Sequence, residues 1–174
     1  MRRTLALIAL SSALAGAAYA QTAHNSNAPI NFSADHIELQ DKANRAVLTG
    51  NVVVKQAEMT LNSARMTVAY TGQIVDGSPQ VSRLDASGSV TVTRPDQTAR
   101  SNFAVYDLNK RVVTMLGAVT LIQGGNTVNG GRLTINLDTG RAVIDGNSVG
   151  GGATGTKSSG GRVSGTFSVP KRDN

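Results

Sequence analysis

The chain has 174 residues, no cysteine and a formal net charge of +6, from 17 lysines and arginines against 11 aspartates and glutamates. This length suits one domain with a core of its own. The lack of cysteine excludes disulfide bonds, thiolate metal ligands and thiol nucleophiles, so stability must come from apolar burial and backbone pairing.

Residues 1–20 have the three parts of a cleaved secretory signal. Residues 1–3 are basic, residues 5–17 are apolar, and residues 18–20 have the A-x-A pattern of a cleavage site. The apolar stretch is shorter than the roughly 20 residues of a membrane span. We expect cleavage before Gln21, which leaves 15 basic and 11 acidic side chains and a net charge of +4.

The mature chain divides into three parts by composition. Residues 21–28 are expected to form a flexible N-terminus, residues 29–149 a single all-β domain, and residues 150–174 a flexible basic tail rich in glycine and serine. A last short strand at residues 165–169 is an alternative for part of that tail.

Apolar residues recur at every second position between residues 30 and 149, as in Ala64, Met66 and Val68. This period indicates half-buried strands, and no stretch has helical spacing with capping residues. We expect roughly a dozen short antiparallel strands and no substantial helix after the signal. Turn-forming residues separate the strands at 40–44, 71–72, 76–79, 94–97, 107–110, 124–126 and 138–140.

The chain repeats a short pattern four times. A basic residue, an extended stretch and a glycine occur at 45–50, 83–88, 111–117 and 141–146. In addition, TLNSARMTV at 60–68 aligns without gaps on TVNGGRLTI at 127–135, where the two strands share alternating apolar positions. One hairpin cannot bury its apolar face alone, so the repeats predict stacked hairpins, as facing sheets or a solenoid-like jellyroll. The glycine is expected at a crowded bend.

A stack of hairpins has two ends, and the outer strands there present unpaired N–H and C=O groups. The sequence offers no helix to cover them. We therefore expect edge-to-edge association, either with further copies of the chain or with partners of similar shape.

Motifs of nucleotide binding and hydrolysis lack their structural context. Residues 150–155 fit G-x-G-x-x-G, but no strand, turn and helix surround them, and the lysine of GTKS at 155–158 does not directly follow the glycine. Residues 146–150 fit G-x-S-x-G, whereas both histidines, His24 and His36, lie upstream and no helix follows. Neither chemistry is expected.

Other site chemistries are equally poorly supported. Two histidines are too few for a metal site, so His36 beside Asp35 is interpreted as an exposed strand histidine. The carboxylates are dispersed, without an acid/base pair. Scattered basic residues and only five aromatics in the mature chain argue against nucleic acid. We expect no enzyme activity, no metal, no cofactor and no nucleic-acid partner.

The inward-facing positions of the predicted strands are mostly aliphatic or methionine. These side chains either fill a closed core or line an apolar groove that receives an acyl chain, for which adaptable methionines are suited. The residues expected on this inner face are Ile37, Leu39, Val52, Val54, Met59, Leu61, Met66, Val68, Leu84, Val90, Val92, Phe103, Val105, Val119, Leu121, Val128, Leu133 and Ile135.

The signal, the stretch at 30–68, LDASGSVTV at 84–92 and GRLTINLDTGRAVIDG at 131–146 together resemble a known family. They are similar to the OstA-like family of periplasmic lipopolysaccharide-transport proteins, which includes LptA. The resemblance covers about residues 29–149. Its recurring element is a glycine followed by V-x-V and then an alanine-led alternating strand, as at 50–54 and 64–68.

The resemblance implies an antiparallel β-jellyroll that is open along one seam and at its ends. It also implies that lipid A acyl chains of lipopolysaccharide bind in the apolar groove, and that molecules join head to tail between inner-membrane and outer-membrane transport components of a Gram-negative cell. Near the groove mouth, phosphate contacts are expected from Lys55, Arg65 and Arg132.

Two alternatives remain open at this point. One is an exported structural β-solenoid with a closed core and self-associating ends. The other is a membrane-anchored, inner-membrane relative with the same fold, which a mature N-terminus at Gln21 would exclude.

Overall fold

A computed structural model describes residues 24–72, 79–146 and 161–168 of the chain. Within these residues ten antiparallel strands form one sheet, and the single helical element is a short 3-10 turn at Asp41–Ala43. The predicted antiparallel all-β fold is therefore confirmed. The strands are β1 Ile30–Ser33, β2 His36–Gln40, β3 Arg45–Gln56, β4 Met59–Thr71, β5 Gln80–Arg94, β6 Gln97–Asp107, β7 Val112–Gln123, β8 Asn126–Asn136, β9 Ala142–Asp145 and β10 Ser164–Thr166.

The order of the strands in the sheet follows their order in the chain. Strands β3 to β8 each pair with the next, whereas β1 and β2 pair with separate halves of β3, and β9 and β10 pair with separate halves of β8. Each edge of the sheet is thus formed by two short strands, β1 and β2 at one edge and β9 and β10 at the other. In the part of the chain that is described, the sheet does not close into a barrel, and it keeps a free edge at each end.

Each long strand is interrupted near its middle by a β-bulge, where the register of every pairing from β3–β4 to β7–β8 shifts. In β3, β5 and β7 the bulge contains Gly50, Gly88 and Gly117, with φ of +79°, +79° and +77°. Other residues are strained in this backbone region, which explains why the sequence repeats a glycine here. A Cβ atom on Gly88 would also lie 2.8 Å from the Cβ of Ala64, so the bend is crowded, as predicted.

Strands β4 and β6 have a serine at the same level of the sheet. The Oγ atoms of Ser63 and Ser101 donate hydrogen bonds to the carbonyl oxygens of Arg65 and Phe103, at 3.1 and 2.8 Å. These bonds provide a partner for backbone groups beside the interrupted ladder. Strands β4 and β6 therefore use a serine side chain to stabilise the bulge that β3, β5 and β7 make with glycine.

The line of bulges folds the sheet over on itself. Gln56, at the end of β3, accepts a 2.7 Å hydrogen bond from the hydroxyl of Tyr106 on β6, although β4 and β5 separate these strands within the sheet. This contact requires two facing layers. The first layer contains β1, β10 and the halves of β3–β8 in line with them; the second layer contains β2, β9 and the other halves. The core lies between the layers as one cluster of buried side chains.

The strand number and length differ from the prediction. Strands β3 to β8 are 11 to 15 residues long, not members of a set of a dozen short strands. The reason is that a bulge bends a strand without ending it, so two predicted short strands continue as one. The turn at 57–58, where Ala57 has φ of +47°, was not predicted because it contains no glycine, proline, asparagine or aspartate.

At both ends, residues outside the predicted bounds of 29–149 contact the domain. In the expected flexible N-terminus, the carbonyl oxygens of Ser26 and Ala28 accept hydrogen bonds from Gln56 Nε2 at 2.9 and 3.0 Å. In the expected tail, β10 pairs with β8, so the domain extends past residue 149. The signal at 1–20, the turn residues 76–78 and the motifs within 147–158 lie outside the described residues.

Candidate functional site

The inner face between the layers contains three apolar rows that run across all strands, from one free edge of the sheet to the other. One row lies in the first layer and two lie in the second. None contains a charged residue. Row 1 is Phe32, Val54, Leu61, Val92, Ala99, Leu121, Val128 and Gly165. Row 2 is Ile37, Leu48, Met66, Ala86, Ala104, Met115, Leu133 and Ile144, and row 3 is Leu39, Ala46, Val68, Leu84, Tyr106, Val113, Ile135 and Ala142.

Exposure to solvent changes sharply along each row. On the inner strands β3 to β7 every member is buried, with Leu84 and Tyr106 only 1% exposed. At the first edge of the sheet, Phe32 and Leu39 are 55% exposed and Ile37 is 40% exposed. The interior is therefore filled by its own side chains in the middle, and it presents apolar surface at the end.

The two layers meet along a line that we call the seam, where the turn after β3 approaches β5 and β6. Gln56 is buried there and bonds Tyr106. A cavity of about 380 Å³ lies beside this contact, and the N-terminal segment 24–28 forms part of its wall together with Val81 and Leu108. Burial raises the pKa of the Tyr106 phenol, so this group stays neutral and can donate its proton to Gln56.

The border of the first layer at the seam is polar, in contrast to row 1 beside it. The inner-face positions at this border are Gln56 on β3 and Met59 on β4, followed by Arg94 on β5 and Gln97 on β6. The same position continues across the next two strands. We call this border the lip. Its polar members are Gln56, Arg94, Gln97, Gln123 and Asn126.

Most of the residues predicted for the inner face are found there. Ile37, Leu39 and Val128 lie on it but are exposed or only half-buried, because they belong to the edge strand β2 or lie near the other edge. Those buried in the core are Val52, Val54, Met59, Leu61, Met66, Val68, Leu84, Val90, Val92, Val119, Leu121, Leu133 and Ile135.

The prediction was wrong for Phe103 and Val105, which lie on the outer face of β6. Phe103 is 54% exposed, while the alternate residues Ala104 and Tyr106 are buried at 1%. The bulge at 101–102 shifts the alternation by one position, so counting forward in steps of two from the buried Ser101 gives the wrong face for Phe103 and Val105. Aligning TARSNFAVY at 98–106 on TLNSARMTV would have shown this, because Phe103 then matches the outward Arg65.

The same shift explains why Ala104 and Tyr106 are absent from the predicted inner face. Several of the other omitted residues are alanines, which a search for large apolar residues does not find, and Gln56 and Arg94 are polar. The omitted buried residues are Ala46, Leu48, Gln56, Ser63, Tyr70, Ala86, Arg94, Gln97, Ala99, Ser101, Ala104, Tyr106, Val113, Met115 and Leu137.

Lys55, Arg65 and Arg132, the predicted phosphate contacts, all lie on the outer face, next to buried inner-face neighbours. Arg65 on β4 and Arg132 on β8 lie in the same outer-face row as Phe103 on β6. One strand separates Phe103 from each of them. None of the three therefore lies on the lip or on the inner face.

Two other kinds of feature are absent from the described residues. No group of three histidine, aspartate or glutamate side chains is arranged to hold a metal ion. No helix in these residues is long and apolar enough to cross a membrane.

These features define a class: an open antiparallel β-jellyroll with an apolar inner face and uncovered edges. A family model described as LptA/(LptD N-terminal domain) LPS transport protein matches residues 31–141. The chain belongs to this family.

One curated protein and one solved structure are also similar to the chain. An uncharacterised protein of Rhizobium meliloti (strain 1021) is 31% identical over 121 residues, which are 67% of this chain and 65% of that protein. The chain thus spans somewhat less than two thirds of that relative. The crystal structure of LptH, the LptA-homologous periplasmic component of the lipopolysaccharide transport device from Pseudomonas aeruginosa, matches with a TM-score of 0.69 at 22% identity, covering 83% of this chain and 99% of LptH. This likeness concerns the fold.

Proposed function

We propose that this protein binds the acyl chains of lipopolysaccharide between the two layers of its sheet and carries the lipid through the periplasm. The observation that supports this most directly is where the apolar surface is exposed. Seven large apolar residues are exposed in the described chain, and six of them lie on or beside the edge strands β1, β2, β9 and β10. The uncharged rows 1 to 3 connect one of these ends to the other.

The magnitude of the hydrophobic effect explains why such a protein is needed. An acyl chain of about a dozen methylenes costs about 10 kcal/mol to expose to water, at ~0.8 kcal/mol for each methylene. An apolar face that is continuous across the sheet removes most of this cost without any chemical step. Energy for directional movement would come from another component.

Because the middle of the interior is filled, binding requires the layers to part along the seam. The hydrogen bonds that must break there include the one from Tyr106 to Gln56 and the one from Arg111 to Asn27. A bond of this kind contributes about 0.5–1.5 kcal/mol net, which is small beside the ~10 kcal/mol gained by burying an acyl chain. We therefore expect an interior that is closed when empty and opens around lipid, whose acyl chains replace the apolar contacts that the two layers lose on parting.

The uncovered edges support head-to-tail association into a bridge between inner-membrane and outer-membrane components. β1 and β2 leave one side unpaired at the first edge, as β9 and β10 do at the last within the described residues. An antiparallel or parallel pairing of these edges would join row 1 of one copy to row 1 of the next. The predicted signal at 1–20 and the family both support a periplasmic location for this assembly.

A photocrosslinking amino acid tests the lipid site directly. Placed at Met66, on row 2, it should label lipopolysaccharide when the protein is produced in a Gram-negative host. Thr67, the next residue, lies on the outer face and is the matched control, where labelling should be absent. Mass spectrometry of the purified protein should show bound glycolipid. Equal labelling at both positions would mean non-specific contact.

A structural solenoid with a sealed interior is the second candidate, and the observation in its favour is the close packing of the middle, where Leu48, Met66 and Val113 have no exposed surface. It predicts no label at Met66 and no bound glycolipid. It also predicts that the ends associate without any lipid present.

A further inference from the structure

Arg94 is the single charged residue on the lip, and its surroundings are unusual for an arginine. It lies on the inner face at the end of β5, directly opposite Gln97 on β6, and is 9% exposed. Buried arginines normally have an anionic partner, because removing the charge from water is costly. Here no hydrogen bond or ion pair to Arg94 occurs within the described residues.

The surroundings of Arg94 are polar along the lip and apolar towards the interior, which matches the two ends of an amphiphilic molecule. Row 1, one step further into the interior, presents Val92 and Ala99 on the same two strands. The lip itself presents the amides of Gln97 and Gln123, whereas the amide of Gln56 is already bonded to Ser26, Ala28 and Tyr106. A molecule whose chains lie on the rows would therefore place its polar end at the lip, against amide donors and one guanidinium.

The charges nearby leave Arg94 available. The lip contains no acidic residue, and the nearest carboxylate in sequence, Asp96, is exposed in the turn and forms no ion pair in the described chain. Arg83 differs, since Asp85 binds it through both oxygens at 2.9 and 3.0 Å. A guanidinium without such a partner retains its full set of donors for a planar or tetrahedral oxyanion.

We propose that Arg94 binds a phosphate group of the glycolipid whose acyl chains occupy the inner face. This inference rests on the proposed function and adds to it the residue that selects the headgroup. It replaces Lys55, Arg65 and Arg132 in that role. The amides of Gln97 and Gln123 on the adjacent strands would hydrogen-bond the remaining oxygens of the phosphate or of the sugar.

The test measures binding of lipid A, and of lipid A from which the phosphates have been removed, to the purified mature protein. Arg94→Met keeps the length of the buried stem but removes the charge, and should weaken lipid A binding about tenfold or more, the usual scale for losing a charged hydrogen bond. Binding of the dephosphorylated lipid should stay within about twofold. Arg94→Lys keeps the charge and should lie between Arg94→Met and the wild type.

Arg100→Met is the control, because Arg100 is exposed on the outer face and should change neither affinity. Equal weakening of both lipids by Arg94→Met would show a packing role and overturn the proposal, as would no weakening at all. Inorganic phosphate at millimolar concentration, bound by the wild type but not by Arg94→Met in the absence of lipid, would assign the site to free phosphate instead. A wild-type protein that binds neither lipid would overturn the proposed function, and this inference with it.

Discussion

The middle and the ends of the inner face are built from the same kind of residue but serve different purposes. In row 3, Leu84 is 1% exposed and Leu39, at the end of the same row, is 55% exposed. Sequence pattern alone does not separate them, because both are leucines in alternating strands. What differs is the number of neighbouring strands that cover them.

This difference shows what an open stack of hairpins must do with its surface. Central strands are covered by the facing layer on one side and by neighbours on both edges, whereas an edge strand loses one neighbour. A single-domain protein usually covers such an end with a helix or with charged residues. Here the ends remain apolar, which suits a surface that another unit or a lipid completes.

The largest expected effect concerns the stability of the middle against the end of one row. Leu84→Ala should lower the free energy of unfolding by about 2–5 kcal/mol, because it leaves a cavity in a packed core. Leu39→Ala should cost less than about 1 kcal/mol, since much of this side chain is already in water. Urea denaturation of both variants measures the difference. Similar losses would mean that the ends are covered in the isolated protein.

A second prediction concerns the bulge that folds the two layers together. Gly88→Ala introduces a side chain at φ of +79° and 2.8 Å from Ala64, whereas Gly124→Ala places one at φ of +58° with no atom within 4 Å. The turn variant should lose about 1–2 kcal/mol from backbone strain alone. The bulge variant should lose more than that by about 1 kcal/mol, because Ala64 must move. Thermal unfolding of the pair gives the comparison, and equal losses would mean that the bend is not crowded.

The sequence predicted the fold well because its main signals are local. Alternation indicates strands, the repeated glycine indicates bends, and most turns carry glycine, proline, asparagine or aspartate. Gly50, Gly88 and Gly117 lie at bulges, as the repeated pattern suggested. Strand pairing in chain order then follows from short connections.

The parts that could not be predicted depend on register and on long-range contacts. A bulge changes which residues face inward, and at Phe103 the local alternation gives the wrong face, which only the alignment with the repeat at 60–68 corrects. The bond between Gln56 and Tyr106 joins residues 50 positions apart, and the burial of Arg94 depends on the facing layer. The phosphate contacts were assigned by charge alone, which does not distinguish an outward arginine from one on the lip.

Removing the seam hydrogen bond should have a moderate effect that depends on pH. Tyr106→Phe should cost about 1–2 kcal/mol near neutral pH, because Gln56 loses a donor inside the protein. The pKa of Tyr106 is raised in the folded state by burial. Its contribution is therefore complete below the unfolded value of about 10 and is lost as pH rises through the higher folded value.

Urea denaturation at pH 8 and above pH 10 measures this. The free energies of unfolding of the wild type and of Tyr106→Phe should differ less above pH 10 than at pH 8. Tyr70→Phe is the control at pH 8, since the Tyr70 hydroxyl bonds the exposed carboxylate of Asp41 at 3.3 Å and does not join the layers; burial and Asp41 also raise the pKa of Tyr70, so it is not a control on the alkaline side. A Tyr106→Phe protein with wild-type stability would show that the seam is held by other contacts. It would also remove the reason to regard this bond as the closure of the interior.

The smallest change in stability is expected for two phenylalanines that are equally exposed but lie on opposite faces. Phe32, at the end of row 1, is 55% exposed and Phe103, on the outer face, is 54% exposed, so Phe32→Ser and Phe103→Ser should each alter the free energy of unfolding by less than about 0.5 kcal/mol. Their effects on self-association should differ. If edge pairing joins the rows of successive copies, Phe32 becomes buried on association and Phe103 does not. Burying half of a phenylalanine contributes about 1 kcal/mol, so Phe32→Ser should raise the dissociation constant in sedimentation about fivefold. Phe103→Ser should leave it unchanged, and the opposite result would move the association surface to the outer face.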